Sequence, residues 1–374
     1  MYQKLEENIV YWNMETITKE ILTYKDLKND IIIEHDDYGI GALCEPALRA
    51  ALKHNPIQDN DEEPFAYIIR VDGIVGGIGM WFPTRFKSND EIIIGRSGST
   101  LEVYEEYRKL ALGVDITMKP LSFNDATVLI YAGISEMALP IYKKLRFSVF
   151  EYPRAMKLMN SRSLLESFGL KGVVLKAISY CANATLKAYY GLSNLFYSYK
   201  DFCVKKMSVV PKWVDEIVLK DKHQYQEVHD QKWLQWNLDY NLHGLDRDRQ
   251  SFYAVYDKDT PVAFFMTKER FRKEAGGKLK NVLIGSIMEW GIANDSPLHE
   301  GDIYKMAQST FSPDIDIIEF ATDNQSAVSS MKKYGFIPHG YAHIVFKDLS
   351  KRYPEAKDMK NWRIRFGYAD VMLT

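Results

Sequence analysis

The residues with the clearest chemical character lie between positions 101 and 113, in the stretch LEVYEEYRKLALG. A strand-like beginning leads into a charged loop that contains Arg108. Ala111 and Gly113 are small, so a bound group could approach the backbone closely there. A helix-compatible segment begins at Val114, and the first N–H groups of a helix have no partner within the helix. This arrangement predicts a site for an anion such as a phosphate group.

Apolar patterns before this loop predict the strands that position it. Residues 65–70 and 74–81 are apolar runs joined by Val71-Asp72-Gly73, and Asp-Gly between such runs is typical of a tight hairpin. Residues 91–103 predict a third strand, in which Gly98 indicates a bulge or a splay. The anion site would therefore follow the third strand of an antiparallel sheet.

The patterns elsewhere in the first half are shorter. Residues 31–33 predict the end of a strand, and residues 46–54 predict a short helix with Pro46 in its first turn. Residues 126–132 predict a buried strand. Ser135 predicts the N-cap of a helix that extends to Leu145, and residues 147–158 predict a final strand.

Composition limits the class of protein. A chain of 374 residues with 46% hydrophobic residues predicts two folded domains rather than one and excludes global disorder. The net charge of -2, without a strongly basic stretch, argues against nucleic acid as the main partner. The three cysteines, Cys44, Cys181 and Cys203, fit neither a zinc site nor a disulfide framework.

The sequence also indicates a location. The first twenty residues have acidic side chains and no continuous apolar core, unlike a secretory signal. No apolar run is long enough to cross a bilayer, so we expect a cytoplasmic protein. Residues 160–210 have helix-compatible spacing. We interpret them as connecting helices between domains, and contact with a membrane surface at residues 160–200 is the alternative.

The second half of the chain repeats the first. Residues 65–80 align with residues 252–267 without a gap, and the same offset of 187 residues places Glu289 on Glu102. With an offset of 189 residues, residues 135–147 align with residues 324–336. A self-match over roughly ninety residues indicates two copies of one folding unit.

The phosphate loop resembles that of the GNAT (Gcn5-related N-acetyltransferase) superfamily. The family signature is Gln or Arg, two residues, Gly, one residue, and then Gly or Ala. Residues 108–113 read Arg-Lys-Leu-Ala-Leu-Gly, so Ala111 replaces the first glycine. This replacement limits the backbone angles that the loop can adopt.

A second family motif is present at the helix that begins near Ser135. In the family, an Asn or Ser opens the helix, an Ala follows three residues later, and a Tyr precedes a closing Gly-Phe. This chain has Ser135, Ala138, Tyr142 and Phe147, with Arg146 in place of the glycine. In the second half, Asn324, Ala327, Gly335 and Phe336 fit the pattern, and Met331 stands where the first half has Tyr142.

The resemblance implies an α/β (α+β) fold with two GNAT-like domains. Each would be a mixed, mostly antiparallel twisted sheet flanked by helices. We expect an N-terminal, coenzyme A-binding domain at residues 1–159, a helical connector at 160–212, and a degenerate C-terminal domain at 213–374. The second domain lacks the phosphate-loop signature, and acidic residues follow Glu289 at the corresponding place. Such side chains would repel a pyrophosphate.

The resemblance also implies an activity: transfer of an acetyl or other short acyl group from coenzyme A to a primary amine of a small molecule, such as an amino sugar. Acetyl-coenzyme A would be the cosubstrate, and we expect no metal. Tyr142 occupies the family position of the acid that protonates the departing thiolate. Glu102 is the nearest acid on the third strand and the candidate base, while Ser97 and Ser99 are too weakly basic to act directly.

The residues expected to bind coenzyme A surround the phosphate loop. They are Leu101, Val103, Arg108, Lys109, Leu110, Ala111, Leu112, Gly113, Val114 and Ser135. Backbone N–H groups near residues 101–103 would polarise the thioester carbonyl.

Two other functions remain open. The first is a coenzyme A-binding or regulatory protein with weakened catalysis, which Ala111, Arg146 and the lack of an obvious base favour. The second is an aminoacyl transferase similar to the Fem type, which pairs two such domains but uses aminoacyl-tRNA. The weak basic character and the intact Arg108 loop argue against it.

Overall fold

The computed structural model of the protein describes residues 16–29, 46–123, 126–195, 202–240, 249–275 and 279–368. The predicted strand end at residues 31–33 and Cys44 lie outside these residues. Within them, thirteen strands form a single sheet. The strands are β1 (Ile17–Thr23), β2 (Pro64–Val71), β3 (Ile74–Ser88), β4 (Glu91–Val103), β5 (Val128–Ala132), β6 (Ser148–Leu158), β7 (Phe202–Met207), β8 (Tyr225–Glu227), β9 (Arg249–Asp257), β10 (Thr260–Glu274), β11 (Lys280–Ile292), β12 (Ile317–Ala321) and β13 (Ile337–Asp348).

Helices flank this sheet. They are α1 (Tyr24–Lys28), α2 (Pro46–Lys53), α3 (Leu112–Met118), α4 (Leu139–Lys144), α5 (Arg162–Ser167), α6 (Gly172–Leu195), α7 (Trp213–Leu219), α8 (Gln231–Asp239), α9 (Glu300–Ala307) and α10 (Gln325–Met331). The mixed sheet with flanking helices confirms the predicted fold class.

Three predicted elements differ in the structure. Strand β3, predicted to end at residue 81, continues to Ser88 beside β4. The helix expected from Ser135 begins only at Leu139, because residues 135–138 form a turn and a proline occupies the first helical turn. Residues 202–207, expected within the helical connector, form strand β7. This strand pairs with β9 at the sheet edge and keeps Phe202 and Val204 half-buried.

The two halves of the sheet have the same order. In the first half, β2, β3 and β4 are antiparallel neighbours and β5 pairs with β4 in parallel. In the second half, β9, β10 and β11 are antiparallel neighbours and β12 pairs with β11 in parallel. This equivalence agrees with the repeat in the sequence.

The last strand of each half lies beside a strand of the other half. Strand β13 lies between β5 and β6 and is antiparallel to both, while β6 also pairs with β12. The expected boundaries at residues 159 and 213 therefore separate segments that are hydrogen-bonded to each other in the sheet. The junction between the halves is continuous β-structure rather than a mobile linker.

The two faces of the first half of the sheet pack against different elements. On one face, Leu112 and Ile116 of α3 and Leu139 of α4 form a cluster with apolar residues of β2–β5. On the other face, Ile78 and Met80 join a larger cluster that includes α8 of the second half. A ligand at the end of β4 could therefore be contacted from both faces.

Within the described residues, no helix combines the length and the apolar character needed to cross a membrane.

Candidate active site

The centre of the candidate site is the point where strands β4 and β5 separate. Their parallel ladder pairs Arg96 with Leu129 and ends at Gly98 and Tyr131. Beyond that point, β4 continues to Val103 alongside β3 only. The register between β3 and β4 shifts at Thr100, which has a positive φ of 48°. The bulge suggested by Gly98 thus lies at Thr100, and it directs the end of β4 away from β5.

Gly98 has a different role, because it makes space for an aromatic ring. A Cβ atom at this position would lie 1.8 Å from a ring carbon of Tyr131. Tyr131 is buried, and its hydroxyl oxygen accepts a hydrogen bond of 2.7 Å from the indole N–H of Trp81. Burial raises the pKa of this phenol, and the Trp81 hydrogen bond opposes the shift in part. Sequence reasoning missed Tyr131, although a hydroxyl within the apolar run ATVLIYA was the available signal.

The charged loop after β4 is a tight turn rather than an open loop. Residues Glu105–Leu110 form a 3₁₀ helix, and Ala111 then adopts the left-handed conformation with a φ of 56°. Helix α3 begins at Leu112, and the carbonyl of Ala111 accepts hydrogen bonds from the amides of Val114 and Asp115. Ala111 thus occupies a conformation that glycine adopts more easily.

This turn borders an open cavity of about 490 Å³. The residues that line it come from the end of β4, the turn before α3 and the start of α4. They are Leu101, Glu102, Val103, Arg108, Ala111, Gly113, Val114, Ser135, Met137, Ala138 and Ile141.

The cavity brings together most of the residues expected to bind coenzyme A. Three expected residues, Lys109, Leu110 and Leu112, are not among those that line it, and Leu112 is buried against the sheet. Met137 and Ile141 line the cavity but were not expected. Their apolar side chains lie on α4 and the turn before it, where only the spacing of the second family motif was considered.

Arg108 is the cation of this cavity. Its side chain is exposed, and its Nε atom donates a hydrogen bond of 3.3 Å to the carbonyl of Val103. This contact holds the guanidinium at the mouth of the cavity while its other nitrogens remain available to a ligand. A Cβ atom at Gly113 would lie 3.6 Å from Val103, in ordinary contact, so a larger side chain would narrow the cavity.

Tyr142 lies deeper, next to the separation of the strands. Its side chain is fully buried, and its ring centroid is 5.1 Å from those of Tyr131 and Phe147. Together with Leu101, Ser99 and Thr100, it borders a second cavity of about 10 Å³. Leu101 borders both cavities, so Leu101 is the residue that lies between Tyr142 and the larger cavity.

Glu102 points to the opposite face of the sheet from Leu101 and Val103. It pairs with Ile78, which belongs to the larger core cluster, whereas Leu101 and Val103 pack toward α3. The Glu102 side chain is exposed, but partial desolvation by its neighbours raises the pKa of its carboxyl. This carboxyl therefore holds a proton more readily than an exposed glutamate does.

A buried polar cluster lies on that opposite face. The hydroxyl of Ser97 donates a 2.8 Å hydrogen bond to Glu227, whose other carboxylate oxygen is 3.2 Å from Nε2 of His229. The Nδ1 atom of His229 contacts Glu289, and Glu289 accepts a 2.9 Å contact from Arg365. Glu289 is therefore enclosed by a histidine and an arginine, and it is not available to a substrate.

Sequence reasoning missed the other members of this cluster. Ser97 and Glu227 are 130 positions apart, and no local pattern relates them. Burial by itself would lower the pKa of His229, but the carboxylates of Glu289 and Glu227 outweigh it and raise this pKa. The imidazole ring stacks on Trp233 with a centroid distance of 3.6 Å, which fixes its orientation.

The corresponding place in the second half has a different chemical character. A cavity of about 400 Å³ there is lined by the starts of α9 and α10, including Glu300, Asp302 and Asn324. Asp302 accepts a 2.8 Å hydrogen bond from the amide of His299 and completes a capping box at α9. Carboxylates of the chain itself therefore occupy the helix start that an anion would need.

The described part of the chain contains no group of three or more His, Cys, Asp or Glu side chains arranged to hold a metal ion.

The similarity of this chain to known proteins lies in its structure. No protein-family model and no curated protein matches the sequence. N-myristoyltransferase from Saccharomyces cerevisiae, solved with bound myristoyl-CoA, matches with a TM-score of 0.56 and 12% identity over 89% of this chain and 82% of that one. A GCN5-related N-acetyltransferase from Anabaena variabilis matches with a TM-score of 0.53 and 11% identity over 89% of this chain and 73% of that one. The chain therefore has the fold of the GNAT N-acyltransferases.

Proposed function

We propose that the protein transfers an acyl group from a coenzyme A thioester to a primary amine. The observation that carries this proposal is the cavity of about 490 Å³ at the separation of β4 and β5, with Arg108 at its mouth. An arginine beside exposed backbone and a helix start suits a pyrophosphate, because charged and N–H donors converge on one place.

The unpaired edge of β4 would bind the pantetheine arm. Residues 99–103 continue past the last pair with β5, so their backbone groups on that side are not used by the β4–β5 ladder. An extended amide-containing arm can pair with such an edge as an added strand. The thioester would then lie near Leu101, where backbone N–H groups can polarise its carbonyl.

The dimensions of the inner cavity support a short acyl group, acetyl in the first place. The cavity beside Tyr142 is about 10 Å³, which is the space of a single water molecule. A long acyl chain would require the aromatic side chains of Tyr131 and Tyr142 to move. Acetyl-coenzyme A is therefore the donor that fits this arrangement best.

Tyr142 is the proposed acid. A phenol with a pKa of about 10 can donate a proton to a thiolate whose conjugate acid has a pKa of about 8.5. Tyr131 lies beside it and also borders the inner cavity. Its hydroxyl accepts the Trp81 hydrogen bond and keeps its own proton to donate. Tyr131 is thus the competing candidate for this role.

The amine would approach from the face of β4 that carries Glu102. Ser99 faces the same side, because its partner Met80 belongs to the larger core cluster. Glu102 is the proposed base, acting directly or through a water held by a neighbouring serine. A small amine such as an amino sugar is the proposed acceptor, on the basis of fold analogy alone.

The second half is proposed to be a degenerate copy that does not bind coenzyme A, within the boundaries 1–159, 160–212 and 213–374. The capping of α9 by Asp302 supports this proposal. A cytoplasmic location remains part of it.

Release of free thiol from acetyl-coenzyme A, across a panel of primary amines, tests the function. We expect amine-dependent release by the wild type. Tyr142→Phe should lose turnover with little change in coenzyme affinity, while Tyr131→Phe should keep most of the wild-type turnover. The opposite order would assign the acid to Tyr131, and coenzyme binding without release for any amine would favour a regulatory protein.

A further inference from the structure

Helix α6 contacts the protein along one narrow stripe. It spans Gly172–Leu195, which is 24 residues. Leu175 and Ser179 are buried, while Leu186 and Tyr190 are half-buried. Residues three and four apart lie on the same face of a helix, so these positions form one continuous line. The opposite face points away from the protein.

The outward face of α6 is apolar, with exposed lysines along one edge. Val173, Tyr180 and Leu192 are 82%, 76% and 62% exposed. At about 100° per residue, Val174, Ala177 and Ala184 fall on the same face, and all three are exposed. A helix on a protein surface normally directs charged and polar residues to solvent. A contiguous apolar surface of this kind marks an interaction site.

The charges next to this face have a single sign. Between Glu166 and Asp201 the sequence contains lysines at positions 171, 176, 187 and 200 and no acidic residue. Lys176 and Lys187 are exposed and eleven residues apart, so they lie on the same flank of the helix. An apolar face bordered by lysines complements a surface that is apolar inside and negatively charged outside.

We propose that α6 binds an anionic lipid bilayer and lies parallel to its surface, with the outward face at the boundary between head groups and acyl chains. The lysines would contact the lipid phosphates and carboxylates. A second copy of the chain fits this face less well in an antiparallel symmetric contact, because the lysine flanks of the two helices would then lie side by side. The binding does not require the acyltransferase activity and can be measured without an acyl donor.

Cys181 provides a direct probe, because it is exposed and follows Tyr180 on the outward face. The full chain with Cys44→Ser and Cys203→Ser is labelled at Cys181 with nitrobenzoxadiazole, whose emission shifts to shorter wavelength in an apolar medium. We expect this shift with vesicles of phosphatidylcholine and phosphatidylserine. The matched control carries Cys44→Ser and Cys181→Ser, which places the label on exposed Cys203 of β7 and should show no shift.

Reversing the charge of two lysines tests the electrostatic contribution to vesicle binding. Each lysine near an anionic bilayer contributes about 1 kcal/mol, so Lys176→Glu with Lys187→Glu should weaken vesicle binding by roughly 30-fold or more. The control Lys206→Glu with Lys273→Glu changes two exposed lysines on β7 and β10 and should bind as the wild type does. Val173→Asn with Leu192→Asn should also lose binding, because it makes the outward face polar.

Three results would overturn the proposal. The first is no shift of the Cys181 label with phosphatidylserine vesicles. The second is equal binding to vesicles of phosphatidylcholine alone. The third is a wild-type dimer, measured by light scattering, that Val173→Asn with Leu192→Asn converts to a monomer, since that result would identify a second copy as the partner.

Discussion

The substitution His229→Asn tests whether the buried cluster at the junction of the two halves is balanced in charge. The side chains of Glu227, His229, Glu289 and Arg365 are all at most 1% exposed. When His229 is protonated, two positive and two negative charges balance. The neutral amide of the variant would leave Arg365 facing two carboxylates, with one negative charge uncompensated in the interior.

The size of the expected loss in unfolding free energy depends on how the folded variant neutralises this negative charge. Because one negative charge is left unbalanced, one of the two carboxylates binds a proton more readily in the folded variant than in the unfolded chain, where the pKa of glutamate is about 4.3. A raised folded pKa gives stability that is present below the unfolded pKa and is lost as pH rises. At pH 6.5 this loss reaches about 3 kcal/mol, and at pH 5 it is about 1 kcal/mol.

The wild type behaves differently over the same interval. Because the carboxylates raise the pKa of His229, its contribution is fully present below the unfolded value of about 6.5 and is lost only above it. The difference in unfolding free energy between wild type and His229→Asn should therefore grow by about 2 kcal/mol from pH 5 to pH 6.5.

Urea unfolding at several pH values between these limits measures the slope. Lost stacking on Trp233 adds an offset that does not depend on pH, so the slope is the diagnostic quantity. The exposed His339 provides the matched control, and His339→Asn should show neither offset nor slope. A constant difference across this range would contradict the reasoning, since it would mean that no carboxylate is protonated in the variant.

Three further predictions concern single residues. Burial first, and then the nearby Glu300, raise the pKa of Asp323 to about 6, so its neutral form stabilises the fold at low pH and that stability is lost as pH rises through about 6. Asp323→Asn should therefore equal wild type in stability near pH 4 and exceed it by about 2 kcal/mol at pH 7.5, and an unchanged difference would refute this. Ala111→Gly should stabilise by roughly 1 kcal/mol in denaturant unfolding because it removes left-handed strain, whereas Ala138→Gly, at a right-handed position, should destabilise. If Glu102 is the base, kcat/KM should rise with pH, and the midpoint of this rise should lie above the ordinary pKa of glutamate, because partial desolvation raises the pKa of Glu102. Glu102→Gln should abolish this rise.

The sequence predicted the local elements of the first half well. The hairpin of β2 and β3 and the extent of β4 follow from apolar patterns and a single Asp-Gly turn, which are local signals. The placement of β6 and β13, each beside a strand of the other half, was not predictable in this way. Pairing within one half and pairing between the two halves would both satisfy the same strand pattern. The choice depends on contacts between strands more than 180 residues apart.

The residues of the candidate site likewise fall into a group that the sequence predicted and a group that it did not. Residues 101–113 were found because strand, turn and helix start follow one another directly in the chain. Tyr131 and Glu227 were missed because their positions depend on strand pairing, parallel in one case and across 130 residues in the other. The missed residues are thus those that tertiary packing alone brings to β4.

Calorimetric titration of acetyl-coenzyme A into the wild type, Arg108→Glu and Lys109→Glu tests the central claim most directly. The two variants make the same charge change at adjacent positions, but only Arg108 lines the cavity. We expect binding by the wild type, a loss of roughly 30-fold or more for Arg108→Glu, since a charge-assisted hydrogen bond contributes about 2 kcal/mol, and nearly unchanged affinity for Lys109→Glu. No binding by the wild type, or equal losses in both variants, would contradict a coenzyme A site at the separation of β4 and β5.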